Sequence, residues 1–365
     1  MGNTAESPRP TLGQFRGCLL AGALGDALGW PVEFVASAAQ ITQRYGAAPP
    51  TQLAYATPAP AEITDDTQMT LFVAEGVIRS IQRATERGFA ATQEVMRRAL
   101  LRWYQTQVPA ELRETPSDAG WLFGVRGLYA RRAPGNTCLA SLQAQHASGP
   151  TPSVASPPND SKGCGAIMRA APIGLAAPDR ATAFTQARDQ SVLTHGHPSG
   201  YLSAAVFAAL VFDVARGLEL GTAIPRAREL LHDQAGAEET LQQIDVALGV
   251  AARGAPTAAA IEAIGGGWVG EEALAIALVC ALSAGDPGAG SLKAALWRAA
   301  LHGGDSDSTA SLTGQLLGAA WGEEALPAGW LEQLELREVI TQLADDLYAA
   351  SIAGARIDRT RYPGN

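Results

Sequence analysis

Two short acidic runs, about 240 residues apart, constrain the fold of this chain more than any other feature. The first is Thr64-Asp65-Asp66-Thr67, and the second is Gly303-Gly304-Asp305-Ser306-Asp307-Ser308-Thr309. Each sets two carboxylates and at least one hydroxyl at the start of an apolar helical pattern. Taken singly, each reads as a helix N-terminus, where a side-chain oxygen satisfies free amides and acids suit the dipole. A plain cap needs one Asp, however, and the second run has two. Brought to one point, four carboxylates would repel one another unless cations sat between them. Oxygen-only ligands of this kind suit Mg²⁺ or Mn²⁺ better than zinc or copper. The expectation is a two-metal centre with its ions about 3.5–4 Å apart.

Composition narrows the fold around that centre. The chain has 365 residues, of which 47% are hydrophobic, 17% charged and 6% aromatic. Ala and Gly supply much of the apolar share, which favours closely packed helices over a sheet rich in Val, Ile and Thr. The net charge of −9 and the absence of a basic stripe argue against general nucleic-acid binding. An anionic ligand would then be held by metals or helix N-termini. Cys18, Cys138, Cys164 and Cys280 are far apart and form no CxxC pair, so neither zinc nor a disulfide framework is indicated. A reducing cytoplasm is the expected setting. The apolar segment Gly17 to Leu28 follows Arg16 as a signal peptide would. Asp26 interrupts it, and the small-residue pattern runs on to Trp30 and Glu33, which reads as a buried first helix. No apolar run reaches the 18 or more residues of a membrane span.

The expected fold class is all-α, a single domain over 1–365 with its core at about 11–351. Helical periodicity covers about 11–28, 66–84, 91–107, 163–175, 179–193, 199–216, 222–234, 238–252, 270–284, 289–301, 307–321 and 334–351. Thr64 can cap the helix that opens with Asp65 and Asp66, and Pro198 starts another after a His-Gly-His turn. Gly265-Gly266-Gly267 breaks the chain before Glu271 and Glu272. Loops rich in Pro are expected at about 47–61 and 148–162. Each ends just before a motif, so each can border a site.

Four glycines at 17, 22, 25 and 29 sit in the first helical pattern. Each costs roughly 0.5–1 kcal/mol relative to Ala. Close helix crossing explains them, and so does backbone approaching a ligand. Glu33, just beyond, is a candidate acid or base. Ser161-Lys162-Gly163-Cys164-Gly165-Ala166 is a Gly-rich turn of the kind that holds phosphate. His195 and His197 stand two apart in a turn that either contacts a ligand or is a turn and nothing more. A zinc site there lacks a third soft ligand. Nothing in the sequence lowers the Cys164 pKa, so it reads as a structural thiol.

In chain order these segments are GALGDALG with Glu33, TDDTQM, RAPGNT from Arg132 to Thr137, GCGAIMRAAPIG, THGHPSGYL, GGGWVGEEALAIAL and HGGDSDSTASLTG. Together they resemble the ADP-ribosylglycohydrolase family, including the dinitrogenase-reductase-activating glycohydrolases, from about Gly17 to Gly322. Cys164 stands where many members have Asn, and Ser308 where many have Thr. The GCGAxMR, THGHPSG and HGGDSDS forms look most like the ADP-ribosylarginine hydrolase branch.

The resemblance implies an all-helical, orthogonally packed fold and two Mg²⁺ or Mn²⁺ ions held by Thr64, Asp65, Asp66, Asp305, Asp307 and Ser308. Ser308 keeps the ligand hydroxyl but lacks the methyl that would fix its rotamer. Ser161, Gly163, Cys164, Gly165 and Ala166 match the diphosphate-binding turn, and His195 matches a residue lining the ADP-ribose cleft. The implied reaction cleaves the N-glycosidic bond between ADP-ribose and a protein arginine, so the partner is an ADP-ribosylated protein and ADP-ribose is the product. Asp66 is the first candidate for general acid and Glu33 the second, with Asp65 beside them. The alternatives are hydrolysis of another linkage, to serine, a nucleic-acid base or a small molecule, and a non-catalytic protein that binds ADP-ribose or a toxin.

Overall fold

Sixteen α-helices and six short 3₁₀ turns make up the regular structure of the described residues, and the three β-bridges among them are isolated. The computed structural model describes residues 8–147 and 149–363. Residues 1–7, 148, 364 and 365, which belong to the expected domain and in one case to the 148–162 loop, lie outside them. The first half holds α1 (Leu12–Gly29), α2 (Ala38–Tyr45), α3 (Asp65–Arg87), α4 (Thr92–Gln107), α5 (Asn136–His146), α6 (Ala171–Ala176) and α7 (Arg180–Ser191). There follow α8 (Pro198–Val214), α9 (Leu220–Glu229), α10 (Glu238–Ala251), α11 (Ala258–Glu262) and α12 (Gly270–Leu282). The chain closes with α13 (Ala289–Ala300), α14 (Ser306–Trp321), α15 (Ala328–Leu331) and α16 (Arg337–Ser351). Among the described residues no helix is long and apolar enough to cross a membrane.

The pairing of α1 with α14 organises the molecule. A Cβ on Gly17 would lie 2.4 Å from the Gly318 carbonyl oxygen, one on Gly25 would lie 2.1 Å from that of Ala310, and one on Gly29 would lie 2.3 Å from that of Ser306. The contact is reciprocal, since a Cβ on Gly314 or Gly318 would strike the Ala21 or Gly17 carbonyl oxygen at 2.1 Å. The glycines of both helices therefore serve close packing, backbone on backbone. The register is antiparallel, so the C-terminal end of α1 meets the N-terminal end of α14. That brings the segment carrying Glu33 beside the second acidic run.

Every residue of α8 after Pro198 is buried, with α6, α7, α9 and α12 packed around it. The apolar core is continuous from Phe15 to Tyr362. All four cysteines are unpaired. One polar group is sealed inside the α3–α4 layer. Arg102 on α4 meets Glu75 of α3 at 2.9 Å and Asp118 at 2.8 Å, while Arg79 meets Glu75 at 2.9 Å.

Several stretches differ from the periodicity. The stretch 163–175 is a 3₁₀ turn, Cys164–Ala166, followed by the separate α6. Gly163 bridges Val269, and the Cys164 amide donates to the Trp268 carbonyl at 3.0 Å, which holds the entry extended. Pro172 sits in the first turn of α6, where a missing N–H costs no helical bond. The last helix starts at Arg337 because Leu336 has φ of +55° and Glu335 pairs with Ala61. The short helices α2, α5, α11 and α15 lie where no periodicity was evident.

Candidate functional site

The two acidic runs converge. Thr64 caps α3, its hydroxyl accepting from the Asp66 amide at 3.3 Å. Asp305 caps α14, accepting from the Ser308 amide at 3.3 Å. The two N-termini face each other closely enough for the Ser308 hydroxyl to donate to Asp66 Oδ1 at 2.9 Å. Glu33 follows the 3₁₀ turn Trp30–Val32 that continues α1. Its carboxylate oxygen lies within 4.8 Å of oxygens from Asp305 and Asp307. Asp65 turns the other way along the same rim and accepts from the Gly135 amide at 3.2 Å. Thr64, Asp65, Asp66, Asp305, Asp307, Ser308 and Glu33 are all buried.

Charge in this cluster is uncompensated by protein. Among the described residues no Lys, Arg or His forms an ion pair with Glu33, Asp65, Asp66, Asp305 or Asp307. Burial and then the neighbouring carboxylates push Glu33 up to about 9. Burial, with smaller pushes from Asp26 and Asp305, takes Asp65 to about 8 against the opposing Gly135 hydrogen bond. Asp66 and Asp307 are likewise driven well above the usual carboxylate range, first by burial and then by their acidic neighbours. Glu33 Oε2 is buried with no hydrogen-bond partner. An orphaned carboxylate oxygen beside four aspartates, with hydroxyls from Thr64 and Ser308, is a hard, anionic donor set that fits divalent cations of the Mg²⁺ or Mn²⁺ kind.

Asp26 holds the first run in place, and sequence reasoning missed that role. It is fully buried on α1 and accepts from the Thr64 amide at 3.0 Å, the Thr64 hydroxyl at 2.8 Å and the Thr67 amide at 3.1 Å, as well as from the Thr67 hydroxyl. An acid among small apolar residues was visible as an interruption of the helix, and that interruption was its only signal. Gly135, inside the RAPGNT segment, was also without an assigned role.

The Ser161–Ala166 turn lies along one side of the cluster. The Cys164 thiol donates to Asp305 Oδ2 at 2.7 Å, so it is a hydrogen-bonded neighbour of the acids and no activated nucleophile. Burial, followed by Asp305, raises its pKa well above normal. The Gly163 amide is engaged by Ser161 Oγ at 3.3 Å and the Cys164 amide by Trp268, so these two amides are already used by protein. The His195 ring packs on the turn, where a Cβ on Gly165 would lie 3.0 Å from its Cε1. His197 points elsewhere and caps α8, accepting from the Ser199 amide through Nδ1 at 3.1 Å. The two histidines thus part company, and they share no metal. Phe34, next to Glu33, and Trp268 stack at 6.0 Å and stay 70% and 45% exposed, giving the cleft an apolar rim.

Comparison with known proteins agrees with this picture. The family model described as ADP-ribosylglycohydrolase matches residues 7–356. The ADP-ribosyl-[dinitrogen reductase] glycohydrolase of Rhodospirillum rubrum is 25% identical over 327 residues, covering 88% of this chain and 90% of its own. An uncharacterized protein of Archaeoglobus fulgidus is 27% identical over 349 residues, covering 92% and 96%. A solved structure titled ADP-ribosylglycohydrolase-related protein complex has the same fold, with TM-score 0.66, 24% identity, and coverage of 93% of this chain and 99% of that one.

Proposed function

The chain belongs to the ADP-ribosylglycohydrolase family, and we propose that it hydrolyses the N-glycosidic bond between ADP-ribose and a protein arginine with the help of two divalent cations. The observation that carries this reading is the buried group of Glu33, Asp305 and Asp307, with Asp66 joined to it through Ser308 and Asp65 beside Asp66, none of them with a cationic partner among the described residues. Thr64, Asp65, Asp66, Asp305, Asp307 and Ser308 are the residues that would hold Mg²⁺ or Mn²⁺. Such ions would supply Lewis acidity at the hydroxyls of the distal ribose.

The side chains supply binding and proton handling. Cleavage at the anomeric carbon passes through an oxocarbenium-like state, and the guanidine leaves more readily once protonated. Asp66 and Glu33 are the two carboxyls for that proton. Asp66 already accepts from Ser308, whereas Glu33 Oε2 has no partner, which supports Glu33 as the donor to the leaving group. Asp26 orients Thr64 and Thr67 from behind. Ser161, Gly163, Cys164, Gly165, Ala166 and His195 form the side that would hold the diphosphate. The four unpaired thiols suit a reducing, cytoplasmic setting.

An ADP-ribosylated protein as substrate is supported by the name of the Rhodospirillum relative. Arginine as the linkage is supported by the GCGAxMR and HGGDSDS forms and by the net charge of −9, which favours a planar cationic leaving group. The test is release of ADP-ribose from matched arginine, serine and nucleic-acid adducts, with and without Mg²⁺. Arginine adducts should be cleaved much faster than serine adducts. Equal or faster serine cleavage would reassign the linkage and leave the cation requirement standing.

A further inference from the structure

Behind the Ser161–Ala166 turn runs a hydrogen-bond chain whose proton positions can be assigned from donor and acceptor chemistry. Arg169 is fully buried and donates to the Gly165 carbonyl oxygen at 2.7 Å, Gln190 Oε1 at 2.6 Å and Thr194 Oγ1 at 2.7 Å. A guanidinium only donates, so Thr194 Oγ1 must be the acceptor in that last contact. The hydroxyl then has one proton of its own to place. Its two available acceptors are His195 Nδ1 at 2.8 Å and the Ser191 carbonyl at 3.5 Å. The shorter contact is the one with good hydrogen-bond length. Nδ1 of His195 is therefore an acceptor, and the ring proton is on Nε2.

The other end of the ring faces the turn. Nε2 lies 3.2 Å from where a Cβ on Gly163 would sit and 3.3 Å from one on Gly165, and it has no protein hydrogen-bond partner among the described residues. Two glycines leave room there that any side chain would fill. The ring itself is buried, and burial with the charge of Arg169 holds its pKa down to about 3. Cys138, whose Sγ lies 2.8 Å from where a Cβ on Gly165 would sit, is pushed up to about 11 by burial and adds no charge.

We propose that Arg169 and Thr194 are positioning residues that lock His195 as the Nε2–H tautomer, a neutral donor aimed across the Gly163–Gly165 turn at the diphosphate of ADP-ribose. The diphosphate part rests on the proposed function above. The tautomer part rests on the hydrogen-bond chain alone. A neutral, fixed donor suits this place because the buried ring beside the Arg169 charge stays neutral and has one proton to offer, which Thr194 directs to Nε2. The same guanidinium that fixes Thr194 also fixes the Gly165 carbonyl, so the turn and the donor are set by one group.

The experiment is ¹⁵N NMR of the His195 imidazole in the full-length protein, joined to calorimetric titration with ADP-ribose in the presence of Mg²⁺. The wild-type ring should show a protonated Nε2 and an unprotonated Nδ1 at neutral pH. Thr194→Val should mix or reverse the tautomers and weaken ADP-ribose binding about tenfold. Thr194→Ser should restore both, which a purely structural role of the methyl group would not do. A wild-type ring protonated on Nδ1, or a Thr194→Val ring with unchanged tautomer and unchanged affinity, overturns the proposal. Wild-type protein that has the Nε2–H tautomer yet does not bind ADP-ribose overturns the proposed function instead, and the ligand role of His195 falls with it.

Discussion

Helix α3 carries two buried acidic sites that could hardly be more different. Asp65 and Asp66 at its N-terminus belong to a cluster that, among the described residues, meets no protein cation. Glu75, ten residues on and about 15 Å further along the axis, is bound on both sides by Arg79 and Arg102, with Asp118 completing the group. Burial is equally deep in the two places. The difference is who supplies the positive charge. The Glu75 group closes its own charge and needs nothing from outside. The N-terminal cluster is left open: among the described residues its five acids meet no cationic side chain, which is the arrangement a divalent cation would complete.

Removing the cations should have the largest effect. Exhaustive chelation should reduce ADP-ribose release by at least about a hundredfold, with Mg²⁺ or Mn²⁺ restoring it. Undiminished turnover in excess chelator, with metal content measured as nil, would break the comparison at its root.

Stability separates the two sites next. Glu75→Ala leaves the buried Arg79 and Arg102 with Asp118 as their one carboxylate among the described residues and should cost about 3–5 kcal/mol in denaturant unfolding. Asp307→Asn and Asp65→Asn, measured in chelator, should leave stability unchanged or raise it by relieving repulsion. Asp305 is the wrong residue for this contrast because its side chain also caps α14. Equal losses at Glu75 and Asp307 would mean that both are ordinary structural acids.

Asp26→Asn sharpens the picture with a smaller change. The amide would present N–H groups to the donors of Thr64 and Thr67, and Mn²⁺ affinity should fall about 10- to 100-fold. Calorimetric titration reads this directly, and an unchanged affinity would reduce Asp26 to a packing residue.

The mildest perturbation is pH. Below about pH 4 both folded and unfolded chains hold the cluster protons. As pH rises, the unfolded chain releases them, while the metal-free folded chain keeps that of Asp65 until about 8 and that of Glu33 until about 9. The unfolded state binds fewer protons across that window, so metal-free stability should fall with rising pH, by roughly 1 kcal/mol per unit for each proton of difference. Saturating Mg²⁺ should flatten the slope. A metal-free protein whose stability rises from pH 5 to 8 would contradict the raised carboxyl groups.

The acids were legible in sequence because a carboxylate at a helix start has few reasons to be doubled. The helices around them were legible too, since long patterns such as 11–28 and 66–84 repeat over several turns. The α2 segment was missed because only Ala38 and Ile41 of it are buried, too few to set a period. The 163–175 stretch looked helical because its apolar spacing is right. Its backbone is instead claimed by Trp268 and Val269, some 105 residues away, and no local pattern records that. The supporting role of Asp26 was hidden for the same reason, because its partners Thr64 and Thr67 are 38 and 41 residues on.

The glycine seam between α1 and α14 bears on the life of the nascent chain. Asp66 and Ser308, joined by a hydrogen bond, are 242 residues apart. At ordinary rates of synthesis the ribosome needs on the order of ten to fifty seconds to cover that distance. Throughout that interval α1 exists without the backbone that will press against Gly17, Gly25 and Gly29, whereas Thr64 and Thr67, the partners of Asp26, follow it by only 38 and 41 residues. Contacts of such long range also slow the closing step. The two acidic runs therefore meet only once α14 is made, and a chain interrupted before α14 has the first acidic run without the second. The acidic cluster and the α1–α14 seam close together, because the same antiparallel pairing builds both.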